Sequence, residues 1–206
     1  MPALLGEMRR PQKSCLSEAS SFLQPNELRN ACIRSGAQET IPSSGGSVHK
    51  RGDSMRRKDR ERDAAFALEV LRDCEYATLA TINADGTPYC IPISPVLVNG
   101  AVYFHCATEG HKLDNISRND AVCISGVRYT KLVPEEHEVE YESAVAAGKC
   151  KIISDEAEKT MALQTICEKY AKGNDKGKDN EVISRLLHKT CVCRVDIEKI
   201  TGKANM

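Results

Sequence analysis

Apolar residues beyond position 55 fall into patterns that change period several times along the chain. Ala64, Ala67, Leu68 and Leu71 recur at i, i+3, i+4 and i+7, which predicts an amphipathic helix over 63–72. Residues 76–82 (Tyr-Ala-Thr-Leu-Ala-Thr-Ile) lean to strand and end in the turn signal Asn83-Ala-Asp-Gly86. Strand character resumes over 89–98. Pro92 and Pro95 cannot donate to a ladder there, so an edge or a bulge is expected, with backbone groups left free. Asn99-Gly100 is a strong hairpin signal and leads into a strand over 101–107.

A short helix is predicted over 109–118 with Leu113 and Ile116 facing inward, then strands over 121–127 and within 139–153. Ser154-Asp155 caps a further helix whose Leu163, Ile166, Cys167 and Tyr170 form one stripe. A polar loop over 172–180, a short helix over 183–188 and a last strand over 190–197 complete the pattern. Six strands joined mostly by hairpins and flanked by helices predict a mainly β, α+β domain built on a six-stranded antiparallel barrel.

The first 54 residues carry no such pattern. The stretch 42–54 has the Gly/Ser-rich composition of a linker, and upstream only short apolar pieces such as Phe22-Leu23 interrupt polar sequence. Residues 1–54 are therefore expected to be a disordered N-terminal extension of a domain at 55–206, with Met55 as the expected natural start. Ala3-Leu4-Leu5 is too short for a secretory core, and Glu7, Glu18, Glu27 and Glu39 do not suit a transit peptide. No apolar run approaches the roughly 18–20 residues of a spanning helix, so no membrane partner and a cytoplasmic location are expected.

Composition narrows the chemistry. Charged residues make up 28% with a formal net charge of zero, and nucleic acid is not an expected partner. The basic run Arg56-Arg-Lys-Asp-Arg-Glu-Arg62 lacks interleaved aromatics and reads as a solvated helix entry. The ten cysteines include no Cys-x2-Cys pair. Cys191-Val-Cys193 points both thiols to one side of a strand, where they pack as small hydrophobes, and no metal site is expected. Dinucleotide, nucleophile-elbow and His-Glu-x-x-His motifs are all missing.

Candidate chemistry gathers at the strand-to-helix junction His105-Cys-Ala-Thr-Glu-Gly-His-Lys112. Thr108 can cap the helix, Gly110 admits close approach to the backbone, and His111 and Lys112 add donors in the first turn. Free helix amides, a glycine and a lysine together make a phosphate cradle, although many ordinary helices start this way. Alternation along the strand puts Tyr103, His105 and Ala107 on one face and the apolar Val102, Phe104 and Cys106 on the other. His105 thus stands one layer from the proposed phosphate site.

The words Met55-Arg-Arg-Lys-Asp-Arg60, Gly86-Thr-Pro-Tyr89, Ile91-Pro-Ile-Ser94, Asn99-Gly100, Tyr103-Phe-His105, Glu109-Gly-His-Lys112 and Ile200-Thr-Gly-Lys203 occur in order. In that order the chain resembles the pyridoxamine 5′-phosphate oxidase-like split-barrel superfamily that binds flavin mononucleotide (FMN), most of all its nitroimidazole-resistance branch. The resemblance implies a homodimer with FMN in clefts at the subunit interface. It implies that Lys112 contacts the FMN phosphate, with His111 where relatives often carry arginine. The backbone of Pro92, Ile93 and Ser94 would face the isoalloxazine edge. His105 matches the histidine beside the flavin and would act as the catalytic proton donor.

The activity implied is an oxidoreductase that passes electrons from reduced flavin to a small acceptor such as a nitroaromatic group. Pyridoxamine 5′-phosphate oxidase activity itself is not expected, because Arg194 stands alone where such oxidases carry an arginine-rich C-terminal motif. The competing reading is a non-catalytic flavin- or haem-binding protein, with His105 or His111 as axial ligand.

Overall fold

The computed structural model describes residues 55–206, so the disorder expected for 1–54 concerns residues outside the described ones. A 3₁₀ turn, Lys58–Arg60, leads into the two-residue strand β1 (Glu61–Arg62) and helix α1 (Ala64–Asp73). Asp63 caps α1, its carboxylate accepting from the Phe66 N–H at 2.8 Å. Strands β2 (Ala77–Ile82), β3 (Pro88–Ile93), β4 (Val96–Val98) and β5 (Ala101–Ala107) follow, then helix α2 (His111–Arg118). The long strands β6 (Ala121–Val133) and β7 (Glu138–Ile152) come next, then helices α3 (Glu156–Tyr170) and α4 (Lys176–Leu186) and strand β8 (Thr190–Asn205).

All ladders are antiparallel, in the order β3-β2-β6-β7-β8-β5-β4, with β1 pairing the far half of β8. The expected class holds: a mostly antiparallel sheet with flanking helices, consistent with a split barrel. The sheet has eight strands, not six, and it is not closed. Two local causes account for the extra strands. Ser94-Pro95 interrupts the run over 89–98, dividing it into β3 and β4, which become the two ends of the sheet. Charged Glu61-Arg62 carries no strand pattern, yet pairs Lys203 and Gly202 of β8.

Hairpin chemistry behaves as its residues require. Asn99 and Gly100 both take positive φ (49° and 78°), the pairing a two-residue type I′ turn demands. Helix α4 begins earlier than expected, because Asp175 caps it by accepting from the Lys178 N–H at 3.0 Å inside the supposed polar loop.

The sheet wraps an interior of Leu79, Val102, Phe104, Ile124, Ala146, Cys193 and Val195, closed by Ala67, Val70 and Leu71 of α1 and by Leu113 and Ile116 of α2. A second cluster lies on the opposite face of β4, β5 and β8. There Val96, Tyr103 and Val192 pack under Ala162, Leu163 and Ile166 of α3 and Ile183 of α4. Tyr103 reinforces that layer, its hydroxyl donating to Glu158 at 2.7 Å while Arg194 stacks on its ring. Burial and the Glu158 bond push its pKa up to about 12.

The outer face of β3, β2, β6 and β7 carries no such helical cover among the described residues. Its rows are small or apolar: Pro92, Thr78, Ser125 and Val145 stand in one register line, and Cys90, Ala80, Cys123 and Ala147 in the next. Val127 and Val145 remain 49% and 42% exposed. No described helix is long and apolar enough to cross a membrane.

Candidate functional site

The strand-to-helix junction differs in detail from the sequence expectation. Helix α2 starts at His111 rather than 109, and Gly110, not Thr108, is its N-cap, with no side-chain capping bond. Gly110 has φ 137°, a turn that a side chain would strain, and a Cβ there would meet nothing within 4 Å. Its carbonyl accepts from Leu113 and Asp114 at 2.8 and 3.2 Å. The amides of His111 and Lys112 come before those bonds and find no acceptor among the described residues. Lys112, half-buried, likewise makes no hydrogen bond or ion pair among them.

His111 is anchored rather than free. Its Nε2 lies 2.7 Å from Asn83 Oδ1, and its ring sits 4.5 Å from that of Tyr89. An amide oxygen has no proton to give, so Nε2 carries the hydrogen in this bond. Asn115, 1% exposed, donates to the same Asn83 oxygen at 2.8 Å and to Thr81 Oγ1 at 3.0 Å. Asn83 in turn closes the β2–β3 turn, donating to Thr87 Oγ1 at 3.0 Å. One turn residue therefore holds both the first residue and the middle of α2.

His105 occupies the outer face of β5, opposite the side of Phe104 and Cys106, and is exposed. β4 pairs only residues 101–103 of this strand, whereas β8 pairs 101–107, so from Phe104 onward β5 has a neighbour on one side only. This half of β5 is a free edge of the open sheet. Protein on its flanks desolvates the His105 ring enough to lower its pKa below 6.5, so the neutral imidazole dominates at neutral pH. It makes no hydrogen bond among the described residues.

Pro92, Ile93 and Ser94 form the end of β3 and the bend beyond it. As expected for a proline-containing strand, β3 is an edge, pairing only β2, with Pro92 opposite Thr78. Pro92 and Ser94 are exposed while Ile93 reaches the core. The Pro95 carbonyl, by contrast, accepts from Lys169 Nζ at 2.7 Å and Tyr170 Oη at 2.9 Å, which pins the bend to the end of α3.

Thus His105, His111 and Lys112 share one junction, while Pro92, Ile93 and Ser94 belong to the opposite end of the sheet order. Thr81, Asn83 and Asn115 were not foreseen. The available signal was a lone asparagine beside the inward stripe of Leu113 and Ile116, a position where a polar residue needs partners. Arg194 is engaged elsewhere, bonded to Asp196 at 2.6 Å and Glu158 at 3.2 Å.

A family profile described as pyridoxamine 5′-phosphate oxidase matches residues 63–204. The chain belongs to this family. Three solved structures share this fold. A protein from Bacteroides thetaiotaomicron, assigned to 5-nitroimidazole antibiotic resistance, is 26% identical with a TM-score of 0.57, over 69% of this chain and 84% of its own. The flavocytochrome Anf3 from Azotobacter vinelandii is 19% identical with a TM-score of 0.61, over 74% of this chain and 72% of its own. A FAD and heme binding protein from Mycobacterium smegmatis is 16% identical with a TM-score of 0.56, over 71% and 73%. No curated protein matches the chain.

Proposed function

We propose that this member of the pyridoxamine 5′-phosphate oxidase family is a flavoprotein that holds FMN at the split of its barrel and passes electrons to a small acceptor of the nitroaromatic class. The observation that carries the reading is the start of α2. Two unpaired amides, a glycine at φ 137° and an unpaired lysine meet there beside the open edge of β5. That donor set fits a phosphate monoester. Two of the proteins that share the fold, the flavocytochrome Anf3 and the FAD and heme binding protein, support the same cofactor class.

In this reading Lys112 and the amides of His111 and Lys112 bind the phosphate, and the backbone of Pro92, Ile93 and Ser94 lies along the isoalloxazine edge. A bound flavin supplies the electron transfer. His105 then acts through its ring N–H, donating to negative charge that develops next to it. The uncovered face of β3, β2, β6 and β7 is the surface on which a second copy packs, completing the clefts.

Purified protein should be yellow and release FMN on heating. FAD released instead would replace the cofactor, a Soret band would favour the haem-binding alternative, and colourless protein that takes up no FMN would end the proposal. Lys112→Ala removes a charge-assisted contact of about 1.5–3 kcal/mol and should weaken FMN binding about 10–100-fold by fluorescence titration. His105→Ala should keep FMN and lose turnover of a nitroaromatic acceptor.

A further inference from the structure

Two adjacent strands bring three cysteines to one spot inside the barrel. Cys106 of β5 stands opposite Cys191 of β8 in the ladder, and Cys193 lies two residues along on the same inward side. The Sγ atoms of all three lie within 4.8 Å of one another. Cys191 and Cys193 are buried and Cys106 is partly accessible, which leaves an entry path. A single buried cysteine is adequately explained as a small hydrophobe. Three thiols converging from two strands are a different arrangement.

We propose that Cys106, Cys191 and Cys193 form a binding site for a thiophilic closed-shell cation, with monovalent copper as the occupant. Metal–thiolate bonds of about 2.3 Å put three sulfurs about 4.0 Å apart around a trigonal ion and about 3.8 Å apart around a tetrahedral one. The observed spread therefore closes by less than about 1 Å, within what side-chain rotation supplies. The donors are all sulfur, the softest set a protein offers, and it selects copper(I), zinc or iron–sulfur clusters. Three donors match a trigonal copper(I) ion, whereas zinc needs a fourth.

The surroundings are consistent with that choice. An incoming cation displaces the thiol protons to solvent as the sulfurs bind it. Lys112 acts electrostatically on Cys106 and offsets part of the negative charge the bound thiolates bring. Cys150, buried on β7, also interacts with Cys193. The site lies on the reverse of β5 from His105 and does not depend on flavin being bound.

The test uses the full-length protein, reduced and metal-free under anaerobic conditions, titrated with copper(I) against a chromogenic copper(I) chelator and with zinc(II) in parallel. One copper(I) per chain with three sulfurs at about 2.3 Å by X-ray absorption is expected. Cys191→Ser and Cys193→Ser should each weaken binding about 100-fold or more, at least the upper end of losing an outer-shell partner. Cys90→Ser, Cys167→Ser and the Cys15→Ser/Cys32→Ser double variant should bind as wild type. If the buried variants fail to fold, the partly accessible Cys106→Ser serves in their place. Wild type that yields copper to the chelator as readily as Cys106→Ser overturns the site. So does loss of binding in the Cys15/Cys32 variant. Tighter zinc binding through four sulfurs overturns the copper assignment.

Discussion

Asn115 offers a stringent test of how the junction is built. Its amide donates to Asn83 Oδ1 at 2.8 Å and Thr81 Oγ1 at 3.0 Å from a site only 1% exposed. Asn115→Ala removes both bonds, each worth about 1 kcal/mol net, and leaves a small void. The former partners keep other contacts: the Thr81 hydroxyl still reaches Tyr89 O at 3.4 Å, and Asn83 Oδ1 still accepts from His111. Neither is orphaned, so the expected loss is about 2–3 kcal/mol. Asn115→Asp keeps the shape but turns a donor into an acceptor facing the Asn83 oxygen, with a buried charge added, and should cost more, about 3–4 kcal/mol. Urea denaturation followed by far-UV circular dichroism measures both. A role in apolar packing alone predicts the reverse order, because aspartate fills the space and alanine does not. Asn115→Ala within about 0.5 kcal/mol of wild type, or Asp more stable than Ala at neutral pH, would refute the reasoning.

Other outcomes can be stated as firmly. Gly148→Ala places a Cβ 2.1 Å from the Asp196 carbonyl oxygen at the bulge between β7 and β8, where only backbone can yield; a loss of about 3 kcal/mol or failure to fold is expected on thermal unfolding. His105 has a folded-state pKa below 6.5, so the unfolded chain binds more protons below that pH. Its contribution to stability is complete above 6.5 and is lost as pH falls through the lowered value, and His105→Gln should flatten that part of the stability–pH curve. Tyr103→Phe should cost about 1 kcal/mol through the lost bond to Glu158, without changing the secondary-structure content seen by circular dichroism.

Much of the local structure was written in short-range sequence. Asp155 announces its helix because a carboxylate at the N-cap satisfies the first amides wherever the helix lies. Asn99-Gly100 makes its hairpin because both residues tolerate positive φ. Pro92 marks an edge strand because it has no N–H to share. The junction at 105–112 was legible as a place where a strand meets a helix, with Gly110 at its start and Lys112 in its first turn.

What the sequence could not determine depends on partners distant along the chain. Glu61-Arg62 became a strand only because β8 continues to Asn205 and offers an edge. The Pro95 carbonyl is occupied by Lys169 and Tyr170, which no local pattern relates to it. His111 turned from a free donor into an anchored one through Asn83, 28 residues earlier. His105, which alternation placed correctly on its face, owes its lowered pKa to the protein packed around it. The cysteines of β5 and β8 likewise converge only once the ladder registers Cys106 against Cys191. Periodicity and capping act over a few residues and survive in the sequence, whereas register, desolvation and long-range hydrogen bonds come into being only when the sheet assembles.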